Sequence, residues 1–259
     1  MAIIKLNELK TIICKNCGFE FIGSYCPNCS QSVKANSRLT FKNIIKDFFD
    51  TVFNLDKGFF FTFWNLLKQP EFIVQGFISG KRKRFTNPVK YLIIATAIQA
   101  LSESIIMFKE QGIPFTSFTF LSNELNQNMH LWNQSLTLDY PILFGIINLL
   151  FWPIPFYFLF KKLKHNIPEL IAVMMYIYGT IVIQIQIIAF IHNPLTGKNM
   201  PIELVSLLAT GYMIYVLLKF YKRGSISWRI PRIIIAMIFL FVFRIFILPF
   251  SMAYLFPLN

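Results

Sequence analysis

Five apolar stretches, near 88–108, 140–160, 168–192, 200–220 and 230–257, constrain this chain more than any other feature. Each reaches the roughly 20 residues that a helix needs to cross the hydrocarbon of a bilayer. Several open with proline near the first turn, at Pro88, Pro141, Pro168, Pro201 and Pro231, where a missing N–H costs nothing. Pro153 and Pro155 fall inside the second stretch and Pro249 near the end of the fifth. Each of those positions predicts a kink. Only 14% of residues are charged, against about 25% in soluble domains. A mean hydropathy of +0.55 and 30 phenylalanines exclude a disordered chain and leave too little polar surface for a soluble globule. The expected class is an all-α integral membrane protein with five transmembrane helices.

Ahead of the spans the chain changes character. Residues 1–36 form a small polar head. Over 39–56, Phe41, Ile45, Phe48 and Val52 recur at helical spacing, with Lys42, Lys46, Asp47 and Asp50 opposite. That pattern predicts an amphipathic helix, with Thr40 as its N-cap. Residues 58–79 are long enough to span, but Lys68, Gln69, Pro70 and Glu71 occupy their centre. Central charges are costly at mid-bilayer, so two short interfacial helices broken at Pro70 are expected instead. The organisation is then a head over 1–36, interfacial helices with a basic cluster over 37–87, and a five-span domain over 88–259.

Loop charges orient the spans. Residues 1–90 hold fourteen Lys and Arg, whereas the loop at 109–139 holds only Lys109. Lys161, Lys162 and Lys164 follow the second span, Lys198 alone follows the third, and Lys222, Arg223 and Arg229 follow the fourth. Basic loops therefore alternate with poor ones. The positive-inside rule then sets the N-terminus in the cytoplasm and the C-terminus outside, in the cell (inner) membrane. The first thirteen residues lack the continuous apolar core of a signal peptide. No internal repeat of the inverted-transporter kind is evident. The net charge of +13 is accounted for by these loops and by anionic lipid headgroups as the default partner, and nucleic acid is disfavoured.

All four cysteines sit in the head, as Cys14-x-x-Cys17-Gly18 and Cys26-x-x-Cys29-Ser30. A C-x-x-C knuckle turns two thiolates toward one ion, and two knuckles complete a tetrahedral zinc site. In a reducing cytoplasm metal binding outranks disulfide formation. Four thiolates leave no open position, so the zinc is expected to be structural. A head of this size has almost no core, and metal binding on the order of 10–16 kcal/mol can hold such a fold. A redox dithiol pair or an iron–sulfur centre are the alternatives, without the sequence context that usually accompanies them.

Lys81, Arg82, Lys83 and Arg84 form one run. It reads first as a topology determinant and second as a site for acidic lipid or an acidic partner, at about 1 kcal/mol per basic residue. Two ionisable residues lie inside spans, Glu103 in the first and Arg244 in the fifth. At 1.5 Å per residue both come to depths of about 20 Å. They are expected to pair, or to share a polar pocket with Gln99, Gln184 and Gln186; the plain alternative is that each reaches an interface separately. Glu169 and Glu203 complement helix dipoles. His130, His165 and His192 make no ligand spacing. No zinc-protease motif, phosphate loop or nucleophile elbow is present.

Taken together, Cys14-x-x-Cys17-Gly18, Cys26-Pro27-x-Cys29-Ser30-Gln31, Arg38-Leu39-Thr40, and Gly80-Lys81-Arg82 leading to Pro88-Val89-Lys90-Tyr91 resemble the membrane family DUF3667. The resemblance covers roughly residues 14–95. It implies a bacterial membrane protein with an N-terminal zinc ribbon and supplies no activity. Ser30 departs from the glycine that commonly follows the second pair. Three function classes follow. The first is a non-enzymatic scaffold whose zinc head offers a platform to a protein partner or to lipid. The second is a small-molecule or ion transporter using the intramembrane polar residues. The third, a lipid-modifying enzyme, needs more convergent polar residues than the sequence offers, so no catalytic residue is expected.

Overall fold

A computed structural model describes residues 11–33, 40, 58–106, 117–222 and 225–257, the side chains of 103–106, 138, 141 and 142 excepted. The amphipathic helix expected over 39–56 lies outside the described residues, Thr40 apart. The described chain is mostly helical. Two short strands, β1 (Ile12–Ile13) and β2 (Glu20–Phe21), pair antiparallel in the head. Then come α1 (Phe59–Lys68), α2 (Pro70–Ile78), α3 (Pro88–Ile106), α4 (Asn123–Gln134), α5 (Pro141–Phe151) and α6 (Pro153–Leu159). The longest helix, α7 (Ile167–Thr196), precedes α8 (Ile202–Phe220), α9 (Ile226–Val242) and α10 (Leu248–Leu255).

Local chemistry explains most boundaries. Gln69 leaves helical geometry and Pro70 opens α2, so residues 58–79 form two helices. Asn166 and Glu169 cap each other's backbone at the start of α7, and Gly197 ends it in the left-handed region. Pro153 opens α6 and breaks the second apolar stretch at Trp152. The fifth stretch starts earlier than expected: α9 begins at Ile226, which leaves Pro231 inside the helix rather than in its first turn. Near its other end the chain loosens into a π-helical turn over Phe243–Ile247 just before Pro249. The wider turn accommodates a proline that would otherwise crowd the carbonyl four residues back. Helix α4 is an addition within the long loop at 109–139, N-capped by Ser122 Oγ, which accepts from Leu125 N at 3.2 Å.

Three helical stretches are long and apolar enough to cross a membrane: Ile167–Thr196, Ile202–Phe220 and Ile226–Leu255. Pro88–Ser102 and Leu143–Leu159 are shorter apolar helices. At 1.5 Å per residue the thirty residues of α7 reach about 45 Å. Helix α7 is central. Its buried run from Pro168 to Ile183 packs against α3, α6, α8 and the α1–α2 pair. By contrast the outer helices turn apolar side chains outward, with Leu207 69%, Ile238 57% and Phe241 64% exposed. An apolar exterior around a helical core suits a hydrocarbon solvent.

The α3–α7 contact is close because Gly179 has no side chain. A Cβ there would lie 3.0 Å from two Tyr91 ring carbons, and beside it Tyr91 and Thr180 share a buried 2.9 Å hydroxyl bond. Small residues of this kind let membrane helices approach. Gly179→Val is expected to pry α3 from α7 and cost about 1–3 kcal/mol, read as a lower thermal midpoint in detergent. Gly211→Val, where nothing lies within 4 Å of the added Cβ, should leave the midpoint unchanged.

Candidate metal centre and its docking loop

Each C-x-x-C pair folds as a tight knuckle, and the two are near copies. In the first, Gly18 N donates to Cys14 O at 2.8 Å and Cys14 N to Phe19 O at 3.0 Å. In the second, Ser30 N donates to Cys26 O at 2.8 Å and Cys26 N to Gln31 O at 2.9 Å. Gly18 (φ +78) and Ser30 (φ +55) both take left-handed backbone geometry. Ser30 therefore adopts the conformation that glycine adopts freely, at the steric cost of its Cβ.

The knuckles bring all four sulfurs within 4.8 Å of one another. Cys14 Sγ lies 3.6 Å from Cys29 Sγ, and Cys17 Sγ lies 3.6 Å from Cys26 Sγ. Four sulfurs at about 2.3 Å from one ion would stand roughly 3.8 Å apart, so the donor set fits a tetrahedral metal. Cys14 and Cys26 are buried and Cys17 is exposed. Beneath them Phe21 is the one other buried apolar side chain among the described residues of the head, with Ile12, Cys29 and Val33 packed alongside. The backbone N–H of Phe19 draws the Cys17 thiol down to about 7, whereas burial pushes Cys26 up to about 11. None of the histidines joins this group, and no other His, Cys, Asp or Glu cluster suits a metal among the described residues.

The basic run meets the head directly. The side chain of Gln31 is buried between them. Its Nε2 donates to Gly80 O at 2.6 Å and its Oε1 accepts from Lys83 N at 3.2 Å. Gly80 (φ +104) turns the chain out of α2. From there Arg82 lies over Phe77 at 5.6 Å, and Arg84 over Phe72 at 4.9 Å and Phe61 at 5.8 Å, within reach of cation–π attraction. Lys68 adds a 4.6 Å contact over the exposed Trp64. Lys81, Lys83 and Arg84 stay exposed. The loop closes on the body through Thr86, whose N–H donates to Thr62 Oγ1 at 3.0 Å and whose carbonyl accepts from Tyr176 OH at 2.6 Å.

Of the polar residues expected within the spans, two meet at one serine. Ser102, on α3, donates its hydroxyl to Gln186 Oε1 on α7 and to Gln99 O. That is an interhelical tie of the kind that holds membrane helices together. Gln184 is half-buried. Arg244 sits in the π turn with its guanidinium 5.5 Å from the Phe144 ring centre, and its buried Nε has no hydrogen-bond partner among the described residues. The Glu103 side chain lies outside the described residues, and the expected pair with it. Gln31 is the residue whose role escaped sequence reasoning. Its only signal was its place directly after the second knuckle, within the family-like motif.

Residues 56–100 match the family described as Protein of unknown function (DUF3667), the family that the motifs resemble. The matched stretch contains α1, α2, the basic loop and most of α3, and it begins after the cysteines. No curated protein and no solved structure matches the chain.

Two outcomes test the metal chemistry. A thiol held near 11 at Cys26 must lose its proton to bind an ion. Metal affinity should therefore fall as pH falls, and loading at pH 7 should release protons; titration calorimetry in buffers of different ionisation heat measures them. Ser30→Gly should relieve about 1 kcal/mol of left-handed strain, partly offset by added chain entropy. Zinc affinity, measured by chelator competition, should rise about threefold.

Proposed function

We propose that this chain is a non-enzymatic, multi-pass membrane protein of the inner membrane. Its Cys14–Cys17–Cys26–Cys29 head binds one structural zinc ion and offers a cytoplasmic platform for a partner. The observation that carries this reading is the four-sulfur cluster, joined through Gln31 to a loop of exposed cations. Four thiolates saturate a tetrahedral ion and leave no place for a substrate, which supports a structural role.

Five crossings, with the N-terminus inside, give the platform its setting. Three helical stretches have the length and composition for it, and Pro88–Ser102 and Leu143–Leu159 supply the shorter pair. Further support comes from where the basic loops meet. Lys222 Nζ pairs with Glu71 at 2.8 Å, Gln75 Nε2 donates to Phe220 O at 3.0 Å, and Phe160 stacks on Tyr221 at 3.8 Å. These contacts gather the segments around 68–84, 160–165 and 219–222 at one end of the bundle, beside the head. A single basic end is what the positive-inside rule requires. Phe60, Phe61 and Trp64, exposed beside Lys68 and Arg84, suit the anionic headgroup layer of that leaflet. The transporter reading draws less support. Gln186 is engaged in an interhelical tie, and Arg244 faces an aromatic ring.

An impermeant maleimide applied to intact cells tests the arrangement. Asn199→Cys should label from outside, and Lys164→Cys only after permeabilisation; the reverse pattern overturns it. Purified protein should carry one zinc per chain, and Cys14→Ser should abolish it. Replacing Lys81, Lys83 and Arg84 by Gln should lower co-purified anionic lipid, by about 1 kcal/mol of binding per residue, with the labelling pattern unchanged.

A further inference from the structure

Gln31 connects two features that have no sequence continuity, a metal-ligand knuckle and a loop fifty residues away. Its backbone carbonyl accepts from Cys26 N at 2.9 Å and so closes the second knuckle. The residue is 3% exposed, and its carboxamide reaches Gly80 O and Lys83 N in the basic loop. One residue thus completes the local fold around a sulfur ligand and uses both ends of its side chain on the loop. Both amide atoms are satisfied there, as a buried carboxamide requires.

We propose that Gln31 is a clamp through which metal loading of the head orders the Gly80–Arg84 loop. This rests on the metal-binding reading of the head above and goes beyond it, since a structural ion would otherwise order the head alone. Among the described residues of the head the buried apolar groups are Phe21 and two of the cysteines, too few to hold the second knuckle without an ion. Loss of the ion frees Ser30 and Gln31 from their turn, and the carboxamide then leaves Gly80 and Lys83. The loop keeps its Thr86 anchors on Thr62 and Tyr176, so release is confined to the turn that carries the cations. Exposed Lys81, Lys83 and Arg84 lose their fixed spacing. The coupling runs both ways, because a head held on the loop binds its ion more tightly than a released head.

The clamp can be read at the bond itself. Full-length protein in nanodiscs is loaded with zinc or stripped with a chelator, and backbone hydrogen exchange is followed at Lys83 and at Tyr176 in the buried part of α7. Chelation should speed exchange at Lys83 on the order of tenfold while Tyr176 stays protected. In Gln31→Ala, zinc content should remain one per chain, and Lys83 should exchange at the fast rate in both metal states. Unchanged Lys83 protection on chelation in the unmodified protein overturns the clamp. So does metal-dependent protection that survives Gln31→Ala. Zinc content measured on the same samples separates the two levels. One ion per chain with an indifferent Lys83 overturns the clamp alone, and no bound zinc overturns the metal head and the clamp together.

Discussion

Side chains on the long helices donate to main-chain carbonyls that would otherwise have no partner, and the region facing the head depends on those bonds. A helix leaves its last carbonyls without intrahelical partners. At the end of α1, Tyr212 OH donates to Leu66 O at 3.0 Å and Tyr215 OH to Lys68 O at 2.8 Å. At the end of α8 the debt runs the other way, from Gln75 Nε2 to Phe220 O. Tyr176 OH takes the Thr86 carbonyl at the end of the basic loop. Each bond is worth about 1 kcal/mol net, but leaving such a carbonyl buried and bare costs about 1–3 kcal/mol. The short helices α1 and α2 could not stand alone at nine or ten residues. They are held because α8 carries two hydroxyls at the height of the last α1 carbonyls and because Gln75 ties α2 to the end of α8. Aromatic bodies fill the space between, with Phe77 edge-on to Tyr176 and Phe59 against Tyr91.

Much of this was written in local signals. Periodic apolar runs with proline at their starts gave helices near 88, 141, 168 and 202, because proline at a first turn and lipid-length apolarity are local properties. Two C-x-x-C pairs with a glycine after the first gave the knuckles, for the same reason. What failed depended on context. Pro231 looked like a helix start, but Ile226 to Ile230 are helical ahead of it, and Arg229 Nη1 caps the preceding helix at Leu218 O and Tyr221 O. Helix α4 is polar enough to pass for loop; its Ser122 cap and Glu124 in the first turn were the available signs. Gln31 was invisible in its role because its partners, Gly80 and Lys83, lie about fifty residues away. A side chain's distant partner has no local signature.

Arg244 shows how composition and placement can diverge. Its depth in the last apolar stretch suggests an ion pair or a polar pathway. Its described surroundings include aromatic rings: Phe144 under the guanidinium, and Phe151 stacked on the neighbouring Phe243 at 4.7 Å. Cation–π attraction offsets part of the desolvation of the guanidinium. The π turn that carries Arg244 also carries Phe243, which packs with Leu136 and Leu248. Leu136 lies in a second π turn, Ser135–Asp139, after α4. Two widened turns thus meet where α4 packs on α10, and Trp132 Nε1 reaches Phe256 O at 2.7 Å. Arg244 belongs to the packing of the end of the bundle away from the head.

The head poses the opposite problem of scale. The described residues of the head, about twenty with one buried phenylalanine among them, cannot by themselves offset the backbone entropy of their ordering, at about 1–2 kcal/mol per residue. Two sources of order remain. A metal held by the four thiolates would contribute on the order of 10 kcal/mol, and docking onto the body adds the buried Gln31 side chain. Neither is independent of the other, because Gln31 is both the last residue of the second knuckle and the contact with the loop. A change of ion, thiol oxidation state or loop sequence must therefore be felt across the head–body junction. That junction lies beside the exposed cations of the basic loop and the exposed aromatic side chains of α1.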